Sequence, residues 1–188
     1  MDRIGENSLR GAMLLEYMGR APRVHPGAFL AEGCVLVGDV TVEEHASVLH
    51  NAVLRGDINS VRVGRMSNVQ DNCVFHVSDD FACVIGERVT VGHGVILHAC
   101  AIGDDTTVGM GSIVMNGAEV GAGSIVAAGA LIPPGRKFPP RSLIMGFPAK
   151  VEREVTDAEV EANVKMAQKY RRVTENHRRS RRVPQGAP

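Results

Sequence analysis

The stretch IGDDTTVGMGSIVMNGAEVGAGSIVAAGALI, residues 102–132, places an aliphatic side chain at every sixth position: Ile102, Val108, Val114, Val120, Val126 and Ile132. A helix repeats about every 3.6 residues and a strand every 2, so a step of six marks a repeating unit of architecture. Working outward, the spacing continues to Phe138 and Ile144. After one five-residue step it runs back through Leu97, Val91 and Ile85, then Phe75, Val69 and Val63, then from Leu54 to Val24. A small residue often follows four places on, as at Ala28, Cys34, Ala46, Ala52, Ser67, Cys73, Ser112, Ala118, Ser124 and Ala130. Gly64, Gly86, Gly92, Gly103, Gly109 and Gly121 directly follow an aliphatic residue and read as sharp bends. Three such edges close one triangular coil. The aliphatic side chains point inward and stack on their counterparts one coil away, at a strand spacing of about 4.8 Å. The small residues fit where the prism narrows. Residues 24–149 therefore read as an all-β solenoid, a parallel β-helix of roughly seven coils with about 18 residues in each.

Composition suits this fold. Of 188 residues 44% are apolar but only 4% aromatic, with no Trp, as a narrow aliphatic interior requires. Lys+Arg and Asp+Glu balance at 21 each, which argues against nucleic acid or an anionic membrane as partner. The local cluster Arg178, Arg179, Arg181 and Arg182 reads as a solvated tail. No signal peptide or membrane span is visible, and cytoplasmic residence is expected. The four cysteines form no CxxC pair; Cys34 and Cys73 fall in the small inward slots and read as core thiols.

The expected organisation is a disordered tail over 1–12, a β-helix over 13–150, a C-terminal α-helix packed on the prism over 151–177, and a basic tail over 178–188. Met13–Arg20 is expected to add a short strand before the first coil. The helix is announced by a capping box, Thr156-Asp-Ala-Glu159, and by the stripe Val160, Val164 and Ala167.

The six-residue spacing breaks between Leu54 and Val63 and between Phe75 and Ile85, where projecting loops are expected to gather binding groups. Around these breaks lie Arg55-Gly-Asp57, Gln70-Asp71, His76, His93 and His98. His76 and His98 each follow an inward residue and occupy equivalent outward places about one coil apart. His93 lies two places after Val91, on an adjacent edge or near a corner, and a second subunit could supply it. Three neutral imidazoles with one open position suit a catalytic Zn²⁺.

The ordered set Val53-Leu-Arg-Gly-Asp57, Asn68-Val-Gln-Asp-Asn72, His76, Val89-Thr-Val-Gly-His93, Leu97-His98, Ile102-Gly-Asp104, Gly109-Met-Gly111 and Gly146-Phe-Pro-Ala-Lys150 resembles the γ-class carbonic anhydrases and their hexapeptide-repeat relatives. The resemblance covers roughly residues 13–175. It implies left-handed coils and a homotrimer with each metal shared between two chains, His76 and His98 from one and His93 from its neighbour. It further implies that Gln70 holds the metal-bound water and that Arg55, Asp57 and Asp71 form charged hydrogen bonds across the interface. The implied reaction is reversible hydration of CO₂ to bicarbonate by a metal-bound hydroxide, on Zn²⁺ or alternatively Fe²⁺ or Co²⁺. Asp79, in the Ser78-Asp79-Asp80 loop, stands where some relatives carry a glutamate proton shuttle. The long acidic insertion of the founding enzyme is missing, and Ile58 replaces a carboxylate.

His25, His45 and His177 read as exposed, His50 as a surface substitution where relatives commonly have Pro, and Tyr170 as helix packing that could approach the pocket. Two other functions compete: a CoA-dependent thioesterase or acyltransferase on the same fold, and a catalytically silent trimeric scaffold.

Overall fold

A computed structural model describes residues 11–180. Most of the expected N-terminal tail and the end of the basic tail, residues 1–10 and 181–188, lie outside the described residues. Short parallel strands stack coil upon coil into a left-handed prism with three faces, followed by one helix.

The first face is a ladder of strands Met13–Leu15, Val35–Val42, Val53–Val63, Val74–His76, Ile96–His98, Ile113–Val114 and Leu131–Ile132. Their register sets Leu14, Leu36, Leu54, Phe75, Leu97, Val114 and Ile132 in one inward column, seven rungs high. From Leu36 onward these side chains are fully buried. The third face runs from Phe29–Leu30 through Ser47–Val48, Asn68–Val69, Thr90–Val91, Thr107–Val108 and Ile125–Val126 to Ser142–Gly146. The small residues at the narrow positions are buried, as are all four cysteines, which are unpaired thiols. Burial pushes Cys34 up to about 12 and Cys73 up to about 11.

Four local readings of the sequence change. The glycines after the aliphatic positions are not bends. A methyl group at Gly109 would meet the carbonyl carbon of Ala127 at 2.8 Å, and one at Gly64 the carbonyl carbon and oxygen of Gly86, so these sites need Gly because successive coils touch there. The positive-φ turn residue falls two places later, at Gly111 (φ 69°), and at Asn51 or Asn72 where a non-Gly residue takes it. Nor does the Leu54–Val63 interruption project as a loop: it is one continuous strand, and only the Phe75–Ile85 interruption carries an exposed loop, around Asp79–Phe81. At the start, Gly11 accepts a hydrogen bond from Gly33 N and Ala12 packs on the core.

The C-terminal helix spans Asp157–His177. The residues before it, Ala149–Glu154, form an antiparallel strand against Ser142–Gly146 that closes the third face. The capping box is present, with Thr156 N donating to Glu159 Oε2 at 2.9 Å and Glu159 N to Thr156 Oγ1 at 3.3 Å. The Arg153 guanidinium first, then Thr156, holds the Glu159 carboxyl down at about 2. The buried stripe contains Asn163 and Ala167. Asn163 pins the helix to the third face: it accepts from Thr107 Oγ1 at 2.8 Å and donates to the carbonyls of Asp105 and Ser124. Arg178, expected in a free tail, donates to the carbonyls of Gly27 and Ala28 at 2.9 and 2.6 Å and lies over the Phe29 ring.

Two neighbouring glycines separate the two demands of the coil. Gly111→Ala adds only the cost of positive φ, about 1–2 kcal/mol, because nothing lies within 4 Å of the added methyl. Gly109→Ala drives a methyl into backbone and costs at least about 3 kcal/mol. Thermal melts should show a much larger loss for Gly109→Ala, and equal losses would contradict this account of coil packing.

Candidate metal centre

His76 and His98 end consecutive strands of the first face and are paired in register. Their rings stand edge to face with centroids 5.0 Å apart, and His76 Nδ1 faces His98 Nε2 at 3.0 Å. The outer nitrogen of each ring is committed to an acceptor: His76 Nε2 to Asp57 Oδ1 at 3.1 Å, and His98 Nδ1 to Asn116 Oδ1 at 2.8 Å. A carboxylate or carboxamide oxygen can only accept, so each outer nitrogen carries the proton. The two inner nitrogens then present lone pairs to each other, an arrangement that is repulsive unless a cation or a shared proton lies between them. This donor set fits a divalent metal, with Asp57 and Asn116 as the outer partners that orient ligating imidazoles.

Arg55 donates to Asp57 within the same chain. Burial pushes the Asp57 carboxyl up, but hydrogen bonds from Arg55 and then His76 outweigh it and hold the group below its ordinary value.

His93 occupies a different place. It sits in the turn that enters the first face, whereas His98 ends that face, and no three His, Cys, Asp or Glu side chains among the described residues converge on one point. The turn stacks coil by coil: Asn72 N donates to His50 O, Gly94 N to Asp71 O, and Gly111 N to His93 O. His50, Asp71 and His93 are therefore successive rungs of one corner. His93 Nδ1 lies 2.8 Å from Asp71 Oδ2, leaving His93 Nε2 as the free base. Burial pushes Asp71 up, yet hydrogen bonds from the backbone and the His50 side chain, together with the neighbouring His93 ring, bring it below its ordinary value.

Gln70, only 5% exposed, donates from Nε2 to Asn68 Oδ1 at 3.2 Å, and Asn68 donates to Thr90. Tyr170 packs from the helix on Phe29, Ala31 and Leu49 and also reaches the site. Burial first, then the Asp71 charge, push its phenol above the ordinary value, while a hydrogen bond with Gln70 pulls the other way. Asp79 lies on the exposed loop after His76, where Asn59 Nδ2 donates to the carbonyls of Ser78 and Asp79.

Sequence reasoning missed Asn116, although its place 18 residues after His98 was a usable signal. His50, read as a surface substitution, contacts Asp71, and Asn59, which sequence reasoning did not name, holds the loop.

One outward feature accompanies the site. Met13, Val35, Val53, Val74, Ile96, Ile113 and Leu131 are matched rung by rung on the outside of the first face, beside His76 and His98. Met13, Val74 and Ile96 are exposed and the rest half-buried.

Residues 99–134 match the family described as bacterial transferase hexapeptide (six repeats). A carbonic anhydrase of Geobacillus kaustophilus is 39% identical over 158 residues, covering 84% of this chain and 87% of that protein. Gamma carbonic anhydrase 2 of Arabidopsis thaliana mitochondria is 34% identical, covering 93% of this chain and 65% of its own. The crystal structure of a hexapeptide transferase family protein from Anaplasma phagocytophilum superposes with a TM-score of 0.85 at 40% identity, covering 89% of this chain and 99% of that one. With its three-faced coil, paired imidazoles and similarity to these relatives over most of its length, the chain belongs to the γ-type carbonic anhydrase family of hexapeptide-repeat proteins.

Proposed function

We propose that this protein catalyses the reversible hydration of CO₂ to bicarbonate as a homotrimer, at a metal site completed by two chains. The observation that carries the reading is the pair of imidazole nitrogens facing each other at 3.0 Å, each with its outer nitrogen committed to an acceptor. His76 and His98 of one chain and His93 of a neighbour would hold the ion, Zn²⁺ or, with the same ligands, Fe²⁺ or Co²⁺. When bound, such a cation supplies Lewis acidity that brings the pKa of water near neutrality.

The chain's own groups do the rest. Asp57, Asp71 and Asn116 fix the ring tautomers. Gln70, held between Asn68 and Tyr170, presents a carboxamide that orients the reacting water. Arg55 keeps Asp57 ionised, and Asp79 on the rim accepts a departing proton. The outward aliphatic ladder supports the trimer: a continuous apolar stripe of this length is unusual on a monomer, and a head-to-tail contact repeated three times closes a ring. That contact brings the first face of one prism against the His93 corner of the next. No described helix is long and apolar enough to cross a membrane, and the unpaired buried thiols suit a cytoplasmic setting.

A second reading, transfer or hydrolysis of an acyl group on CoA, draws on the similarity to the hexapeptide transferase family protein. A thioester panel that releases free CoA faster than CO₂ is hydrated would favour it.

Two tests follow. Protein purified without chelator should be a trimer with one ion per chain and hydrate CO₂ above the buffer rate. Ile96→Glu should give a folded monomer that has lost both ion and activity; a monomer that keeps them would refute a shared site. Asn116→Ala frees His98 Nδ1 and should weaken metal affinity about 10- to 100-fold in chelator competition. Unchanged affinity would remove Asn116 from the site.

A further inference from the structure

Hydration converts CO₂ and H₂O into HCO₃⁻ and H⁺, so one proton must leave the site in every turnover. The corner that carries His93 provides a route that begins one carboxylate away. Asp71 Oδ2 touches His93, while Asp71 Oδ1 accepts from the His50 backbone N–H and lies 3.2 Å from His50 Nδ1. Building on the hydration reading, we propose that His50 is a proton-transfer residue that carries the released proton from the site to solvent by way of His177.

The chemistry of the contact sets the roles. Asp71 as a carboxylate only accepts, so His50 Nδ1 bears hydrogen and His50 Nε2 is a free base. As an O–H bond of site water breaks, intervening water relays the proton two rungs along the corner from His93, and an Nε2–H bond forms on His50. The resulting imidazolium keeps its Nδ1–H against the Asp71 carboxylate, which stabilises the charge. In the single chain the His50 side chain is 45% exposed, and its ring faces the helix end at His177. The exposed His177 ring stands edge-on to it with centroids 5.7 Å apart. The proton then passes to His177 and on to a buffer base, leaving His50 neutral. An imidazole with one nitrogen bonded to a carboxylate keeps the other as a proton acceptor, which suits it to this exchange.

The last turn of the helix is held for the purpose. Arg178 clamps the helix end onto the carbonyls of Gly27 and Ala28, and the His177 ring rests 6.1 Å from that of Phe29. The charged and titratable groups around His50 are Asp71 on the next coil, Glu32 at the same corner one coil earlier, His177 on the helix, and Tyr170 beside Asp71. This exit lies on the corner of the prism and is separate from the Asp79 loop.

The test compares His50→Asn, which keeps a donor for Asp71 but cannot take up a proton, with His50→Ala, which keeps neither. Stopped-flow hydration with a pH indicator and ¹⁸O exchange are measured on metal-loaded trimer at low and high buffer. Both variants should show kcat about tenfold lower at low buffer, less than the roughly 100-fold expected of a sole acid–base group because the loop side stays open. In His50→Asn, which keeps the donor to Asp71, the CO₂–bicarbonate exchange rate and kcat/KM should be unchanged, and free imidazole should restore kcat in both variants. Wild-type kcat in His50→Asn with a loss in His50→Ala would show that His50 only braces Asp71 and would overturn the proposal. So would failure of imidazole to rescue either variant, or a parallel fall in kcat/KM in His50→Asn. Wild-type protein that hydrates no CO₂ would overturn the underlying function, and this role with it.

Discussion

Register between coils governs everything in this protein. Because each strand is hydrogen-bonded in parallel to the one a coil away, a side chain's neighbours are fixed by residues about one coil distant in sequence. Inside, that rule builds the Leu36–Leu54–Phe75–Leu97–Val114–Ile132 column. Outside, the same rule puts His76 against His98 and aligns His50, Asp71 and His93 on one corner. Core and site are two surfaces of one stacking pattern, and a slip of one residue would turn the inward column outward and scatter both.

The placement of acceptors gives the histidines their chemistry. Asp57, Asp71 and Asn116 each sit beside the nitrogen of an imidazole that does not face the proposed ion, so the chain chooses the tautomer of each ring before any ligand arrives. The carboxylates stay ionised for this role because hydrogen bonds from Arg55 and His50 outweigh their partial burial. What one chain cannot do is bring His93 to the other two, since the turn holding it opens the face that His98 ends. In the proposed trimer the aliphatic ladder on that face would be what a neighbour binds, and assembly and site formation would be one event.

Much of this was legible in the residues. The step of six marks the inward positions directly, and Thr156 with Glu159 marks the helix start, because both depend on local geometry alone. The glycines were misread because a bend and a close coil-to-coil approach call for the same residue; only the stacked neighbour at Gly109 or Gly64 tells them apart. Val53–Val63 was taken for a loop because extra residues break the spacing, yet they extend a strand that stays paired with its neighbours. His50 was illegible for a related reason. It precedes Asp71 by 21 residues, and without knowing how the inserted residues are absorbed, no spacing rule stacks the two.

The central claim is that each ion is held by imidazoles of two chains, and mixed trimers test it most directly. His93→Ala and His98→Ala proteins, each unable to bind metal alone, are unfolded, mixed in equal amounts and refolded together. Half of the faces and half of the corners stay intact, so about a quarter of the interfaces should recover metal and hydration activity. A mixture that recovers neither, while forming trimers as well as wild type does, would show that all the ligands come from a single chain and would contradict the account.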